Sequence, residues 1–222
     1  MSEFVFAEKD GALQFVGDFD ALYRSERDPW FQGDDRGPMA AYYLASRRRI
    51  VRALFETRAT PSGRGLEIGC GHGHAIRHLR CHSPVHRWTG IDISKVAIEQ
   101  ARELCRGVEF GVCDIRIEPP HFEPFDVVVM NQILWYVLTK IDATVHNAGR
   151  KLNTGGLFVV SQAFLTGEQR FGRDIADGFV GTLRLFLDRY KWLSLLFADY
   201  EDTSAHQHND GVLVFRKIAN AD

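Results

Sequence analysis

Gly65-Leu66-Glu67-Ile68-Gly69-Cys70-Gly71-His72-Gly73-His74 decides how this chain folds. A short apolar strand carrying an acidic residue runs into three alternate glycines, and an apolar-periodic segment starts straight after them. Glycines here permit positive φ and remove every Cβ from the turn, so a ligand can lie against bare backbone. About twenty residues on, Trp88-Thr89-Gly90-Ile91-Asp92-Ile93-Ser94 gives a second strand ending in a carboxylate, the feature a ribose site requires. Together they predict a nucleotide-like ligand on a doubly wound α/β sheet.

Strand and helix alternate outward from this point, the pattern of a parallel sheet with crossover helices. Strands are expected near 65–69, 87–92, 108–113, 125–130 and 156–163, with helices near 73–80, 94–105 and 139–152. Val127-Val128-Val129-Met130 and Leu157-Phe158-Val159-Val160 are continuous apolar runs, as strands buried on both faces should be. Residues 1–38 lack a clean period and read as a cap or lid. Pro38 suits a first helical position, and a helical pattern follows. Tyr43, Leu44, Val51, Leu54 and Phe55 form its apolar face, with Arg47, Arg48, Arg49 and Arg52 largely off it. The domain proper is expected over 39–222, with 165–197 inserted as a substrate lid. Asn209-Asp210-Gly211 carries a two-residue hairpin signal near the end. If the penultimate strand runs parallel to the rest, the turn with His206, Gln207 and His208 lies on the ligand side of the sheet.

At 222 residues, with 45% hydrophobic and 25% charged residues, the chain has the composition of one globular α/β domain. A formal charge of −2 argues against a nucleic-acid partner. No apolar run reaches membrane-span length, and Met1-Ser2-Glu3-Phe4 does not open like a secretion signal. Cys70, Cys81, Cys105 and Cys113 show no disulfide framework spacing. They are expected as reduced, buried thiols of a cytoplasmic protein.

The ligand is narrowed by detail. A dinucleotide loop needs Gly at its sixth position, which here is His74, and Glu67 would repel a pyrophosphate while attracting an ammonium. A ligand with ribose and ammonium but no phosphate fits. The Glu67-to-Gly73 turn resembles the first motif of the class I S-adenosylmethionine-dependent methyltransferases. The likeness continues through Gly90-Ile91-Asp92, Val112-Cys113-Asp114-Ile115, Phe125 to Asn131, and Leu152-Asn153-Thr154-Gly155-Gly156-Leu157, in the family's order. It implies a single Rossmann-like, seven-stranded sheet with a terminal antiparallel β-hairpin. Two shorter elements, Asp28-Pro29-Trp30 with its upstream Tyr23 and Leu134-Trp135-Tyr136 with its flanks, resemble the bacterial nodulation N-methyltransferase group.

The resemblance implies roles residue by residue. S-adenosylmethionine would meet backbone at Gly69, Gly71 and His72, with Glu67 orienting its ammonium. Asp92 would accept from the ribose hydroxyls while Ile93 packs on adenine. Asp114 would accept from the adenine amino group, Ile115 would donate its N–H, and Trp30 would close over the cofactor. Asn131 stands where amino-methyltransferases of DNA open an Asn/Asp-Pro-Pro-Tyr motif. The Pro-Pro is missing, which disfavours base methylation and leaves Asn131 as acceptor ligand or ammonium ligand. Trp135 and Tyr136 read as substrate-pocket walls or core. His206 and His208 read as candidate general bases or solvated turn residues. His74, His78 and His82 repeat at i, i+4, yet no carboxylate shares that face and no metal is expected. The arginine run reads as a solvated face or an anion lure.

The expected activity is methyl transfer to an N or O nucleophile of a small molecule, a sugar or natural-product intermediate. Alternatives are an anionic phosphorylated or carboxylated acceptor, a non-catalytic cofactor-binding partner subunit, and a dinucleotide oxidoreductase. The sequence carries no signal for oligomeric state.

Overall fold

The computed structural model describes residues 3–33, 38–60, 63–165, 168–201 and 208–221. A seven-stranded sheet forms the centre, from β3 (Arg64–Ile68), β4 (Arg87–Asp92), β5 (Glu109–Val112), β6 (Phe125–Asn131), β7 (Leu152–Leu165), β8 (Leu193–Tyr200) and β9 (His208–Lys217). Its order is β5-β4-β3-β6-β7-β9-β8. The first five in this order pair parallel, and β9 inserts antiparallel between β7 and β8. Strand order reverses between β3 and β6, which opens a crevice at their C-terminal ends.

Period-two alternation in β6 divides the core. Val127 and Val129 face α2 (Pro38–Glu56), α3 (His74–His82) and α4 (Lys95–Leu104). Val128 and Met130 face α5 (Leu134–Val137), α6 (Ile141–Arg150) and α7 (Gly178–Arg189). Phe125, Phe158, Phe186 and Phe215 are fully buried on that second side, each stabilising the fold by roughly 1.5–3 kcal/mol. Local chemistry sets the helix starts. Ser94 caps α4 by accepting from Ala97 N at 3.1 Å, and Gly73, at φ 81°, lets the loop turn into α3.

Several expectations need correction. Asn209, Asp210 and Gly211 are not a turn but lie inside β9, opposite Phe164, Ala163 and Gln162. Asp210 belongs there because α2 and the β6 loop supply partners for its buried carboxylate. The segment 1–38 has structure the period search missed: a hairpin of β1 (Phe6–Lys9) and β2 (Ala12–Phe15), then α1 (Phe19–Ser25). Of the segment expected as a lid, 178–189 form α7 and 193–197 lie in edge strand β8, because their apolar residues pack on the sheet. In α2 the buried positions are Ser46, Ile50, Ala53 and Leu54, whereas Phe55 is exposed. Cys81 is exposed and Cys113 only half-buried. No helix among the described residues is long and apolar enough to cross a membrane.

Candidate active site

The C-terminal ends of β3, β4 and β6 border a cavity of about 810 Å³ that continues to β7, β9 and the N-terminal cap. Glu67, Gly69, Gly71, Asp92, Ile93, Asp114, Ile115 and Asn131 line one end; Trp30, Trp135 and Tyr136 also border it.

Glu67 is 2% exposed, and Asn131 Nδ2 donates to its Oε1 at 3.2 Å. Burial raises the Glu67 carboxyl to about 8, against the opposing hydrogen bond from Asn131. Its Oε2 and the Asn131 Oδ1 are buried without a hydrogen-bond partner. Two orphaned acceptors in residues that line one cavity match a polyvalent N–H donor, as an α-ammonium is.

Asp92 holds the loop as well as facing the cavity. Its Oδ2 accepts from Gly71 N and its Oδ1 from Ser94 N, both at 2.9 Å. Burial raises its carboxyl above the ordinary value, and these donors oppose the shift. Gly69 and Gly71 adopt φ of 70° and 50°. A Cβ on Gly69 would strike Ile133, and one on Gly71 would sit 2.9 Å from the Tyr23 hydroxyl. The loop glycines are therefore required by neighbouring protein as much as by a ligand.

Asp114 is forked by Arg116, Nε and Nη2 each 2.8 Å from its oxygens. Burial works against it, but the guanidinium holds its carboxyl below the ordinary value. Ile115 is buried, and its carbonyl accepts from Asn147 Nδ2 at 2.9 Å. Ile93 is half-buried beside Asp92. These residues supply the carboxylate, apolar faces and bare backbone that S-adenosylmethionine calls for, with no cluster of cations for a pyrophosphate.

The His72 ring turns aside. It packs on Tyr23 at a 4.8 Å centroid distance and shares a half-buried niche with Asp28 and His74, their ligand-type atoms within 4.8 Å. Asp28 already accepts there from Gln32 N at 3.1 Å and Gly33 N at 2.7 Å. The helical trio foreseen at His74, His78 and His82 separates: His78 stacks on His82, while His74 joins His72.

Tyr136 is the pivot of an aromatic cluster. Phe6, Phe15, Phe19 and Trp30 lie around it at 5.3–6.3 Å. Trp30 Nε1 also donates to the Tyr23 hydroxyl at 3.1 Å. The cap thus docks on the cavity's rim through Tyr136. Trp135 donates to the Ala163 carbonyl at 3.2 Å and packs edge-on to Phe164.

Next to Asn131 the cavity wall holds a polar cluster with no local signal in the sequence. Asp210, 5% exposed, accepts from Gln132 Nε2 at 3.0 Å and Tyr42 Oη at 3.2 Å. Gln132 stands at φ 59°, a left-handed conformation costing about 1–3 kcal/mol that its many hydrogen bonds enforce. Its Oε1 accepts from Ala163 N at 2.9 Å. Arg49, expected on a solvated face, is instead mostly buried against Asp199 at 2.6 Å, Glu201 and Asp210. His206 lies outside the described residues, and His208 opens β9 opposite Leu165.

Residues 66–158 match the family model of a methyltransferase domain. Over that span the chain is similar to methyltransferase domains, and it folds as they do. Its fold resembles that of N-methyltransferase NodS from Bradyrhizobium japonicum WM9, solved with S-adenosyl-L-homocysteine, at TM-score 0.67 and 21% identity. That match covers 90% of this chain and 97% of the other. Magnesium protoporphyrin IX methyltransferase (ChlM) from Synechocystis PCC 6803, with bound SAM, superposes at TM-score 0.66 and 16% identity, covering 90% and 95%. In sequence, ribosomal RNA small subunit methyltransferase C of Citrobacter koseri is 36% identical over 121 residues. This covers 50% of the chain and spans 35% of that relative, so the likeness extends over about a third of the relative's length.

Proposed function

We propose that the chain transfers a methyl group from S-adenosylmethionine to an N or O nucleophile of a small molecule. The observation carrying this reading is the pair of orphaned acceptors, Glu67 Oε2 and Asn131 Oδ1, in two residues that line a cavity continuing well beyond them. When bound, S-adenosylmethionine supplies an electrophilic methyl on a sulfonium, whose C–S electron pair stays on sulfur. Glu67 and Asn131 hold the ammonium. Asp92 offers its remaining lone pairs to the ribose, and Ile93 and Ile115 flank the adenine beside Asp114. Trp30 and Tyr136 keep the cap seated and water out, so the chain's contribution is largely positioning, worth up to ~7–11 kcal/mol.

A cavity of about 810 Å³ falls in the range of small-molecule sites, roughly 300–1,000 Å³. It extends past Asn131 and Tyr136 to Gln162 and Asp210, which favours an enzyme over a non-catalytic binding subunit. The capture of Arg49 by three carboxylates weighs against an anionic acceptor. An RNA acceptor is the second reading, favoured by the ribosomal RNA methyltransferase relatives. Those share only half of this chain, and a net charge of −2 is a poor match for a polyanion.

Incubation with methyl-labelled S-adenosylmethionine tests it, offering small amines and alcohols in one arm and ribosomal RNA in the other. Label in a small molecule is the expected result. Label in RNA alone would replace this reading with the second.

A further inference from the structure

We infer that Asp210, framed by Tyr42 and Gln132, binds the acceptor as a protonated amine on an apolar or aromatic body and takes its proton before methylation. The inference rests on the methyltransferase reading above and names its acceptor and base.

Asp210 is a carboxylate nine-tenths buried on the wall of a ligand-sized cavity. Tyr42 and Gln132 both donate to Oδ1, while Oδ2 makes no hydrogen bond. The charge nearest Oδ2 is Arg49 Nε at 3.4 Å. That guanidinium is shared, since Arg49 also pairs with Asp199 and Glu201. Arg52, 62% exposed, reaches Asp199 at 3.8 Å. The groups around Asp210 are Tyr42, Tyr43, Ser46 and Arg49 from α2, Gln132 from the β6 loop, and, through Arg49, Asp199 from β8 and Glu201 just after it. Three carboxylates oppose one buried and one exposed guanidinium. Such a wall attracts a cation and repels a phosphate or carboxylate.

Two further observations place the amine. Gln132 bonds Asp210 and directly follows Asn131, which bonds Glu67, so the acidic wall adjoins the donor end of the cavity. Tyr42, Tyr43 and Trp135 line the same space, and aromatic faces favour an ammonium over its neutral analogue. In the proton step, an ammonium N–H bond breaks and an O–H bond forms on the Asp210 carboxylate. The electron pair stays on nitrogen as the lone pair that attacks, and one cation and one anion become two neutral groups. Burial raises the Asp210 carboxyl above its ordinary value, which suits a proton acceptor.

The test uses the enzyme loaded with S-adenosylhomocysteine, titrated by calorimetry with 2-phenylethylamine, 2-phenylethanol and phenylacetate. The amine should bind about tenfold or more tightly than the alcohol, and phenylacetate should not bind. Asp210→Asn should erase the amine's advantage while keeping S-adenosylhomocysteine affinity. Equal binding of the alcohol, preference for phenylacetate, no amine binding, or an advantage surviving in Asp210→Asn would each overturn the inference. Should Asp210→Asn not fold, Tyr42→Phe decides. Losing a donor to the carboxylate should raise the pH at which amine binding sets in, and an unmoved profile contradicts the assignment. Wild-type enzyme that fails to bind S-adenosylhomocysteine would defeat the donor-site reading itself, a separate failure.

Discussion

Asn131 Nδ2 donates to Glu67 Oε1 at 3.2 Å, joining the last residue of β6 to the penultimate residue of β3 across the switch point of the sheet. The bond leaves one acceptor on each side chain buried and open. A site with two such acceptors is most stable when a cationic N–H donor lies between them.

Glu67→Gln should therefore weaken S-adenosylhomocysteine binding by roughly tenfold to a hundredfold, the equivalent of ~1.5–3 kcal/mol for a hydrogen bond to a charged group. Calorimetric titration of the variant measures this. Unchanged affinity would show that the ammonium lies elsewhere.

The pH dependence has a definite sign. The folded, ligand-free enzyme raises the Glu67 carboxyl from 4.5 to about 8, so between these values the native state binds more protons than the unfolded state. Glu67's contribution to stability is full below about pH 4.5 and is lost as pH rises through about 8. Melting temperatures of ligand-free wild type and Glu67→Gln should thus diverge across this window, the wild type declining more steeply. Parallel profiles would rule out a buried, raised carboxyl.

Asp92→Ala removes more than a ribose ligand. Gly71 N and Ser94 N would lose their acceptor, costing about 1–3 kcal/mol each if they remain buried. The variant should lose S-adenosylhomocysteine binding and also melt at lower temperature. A normal melting temperature would mean that the loop is held by other contacts.

Gly71→Ala should disturb the cap. Its Cβ meets the Tyr23 hydroxyl that accepts from Trp30, at a residue with positive φ. Limited proteolysis within residues 1–33 should accelerate in Gly71→Ala and in Tyr136→Ala. Wild-type cleavage rates in both would refute the docking of the cap through these rings.

The sheet was legible because its signals are local: apolar runs at 127–130 and 157–160, and glycines where only positive φ allows the turn. The hairpins were not. Asp10-Gly11 is the true two-residue turn, both residues at positive φ, while Asn209-Asp210-Gly211, similar in composition, lies inside β9. The difference is tertiary: Tyr42, Gln132 and Arg49 satisfy Asp210 from 78 to 168 residues away, a pairing no local window contains. For the same reason Glu67, Asp92 and Asn131, which end strands, could be expected to line the cavity, as they do, whereas the polar cluster around Asp210 could not. Arg49 was misplaced because charge runs on helices are usually solvated, and here three carboxylates from β8, its following residue and β9 converge on one of them.

The most direct measurement is a calorimetric titration of the purified protein with S-adenosylhomocysteine, beside NAD as the control. One saturable site at micromolar concentration, no response to NAD, and loss of affinity in Glu67→Gln are the predicted results. Absent S-adenosylhomocysteine binding, or a preference for NAD, would contradict the assignment of the Glu67–Asn131 crevice as a methyl-donor site.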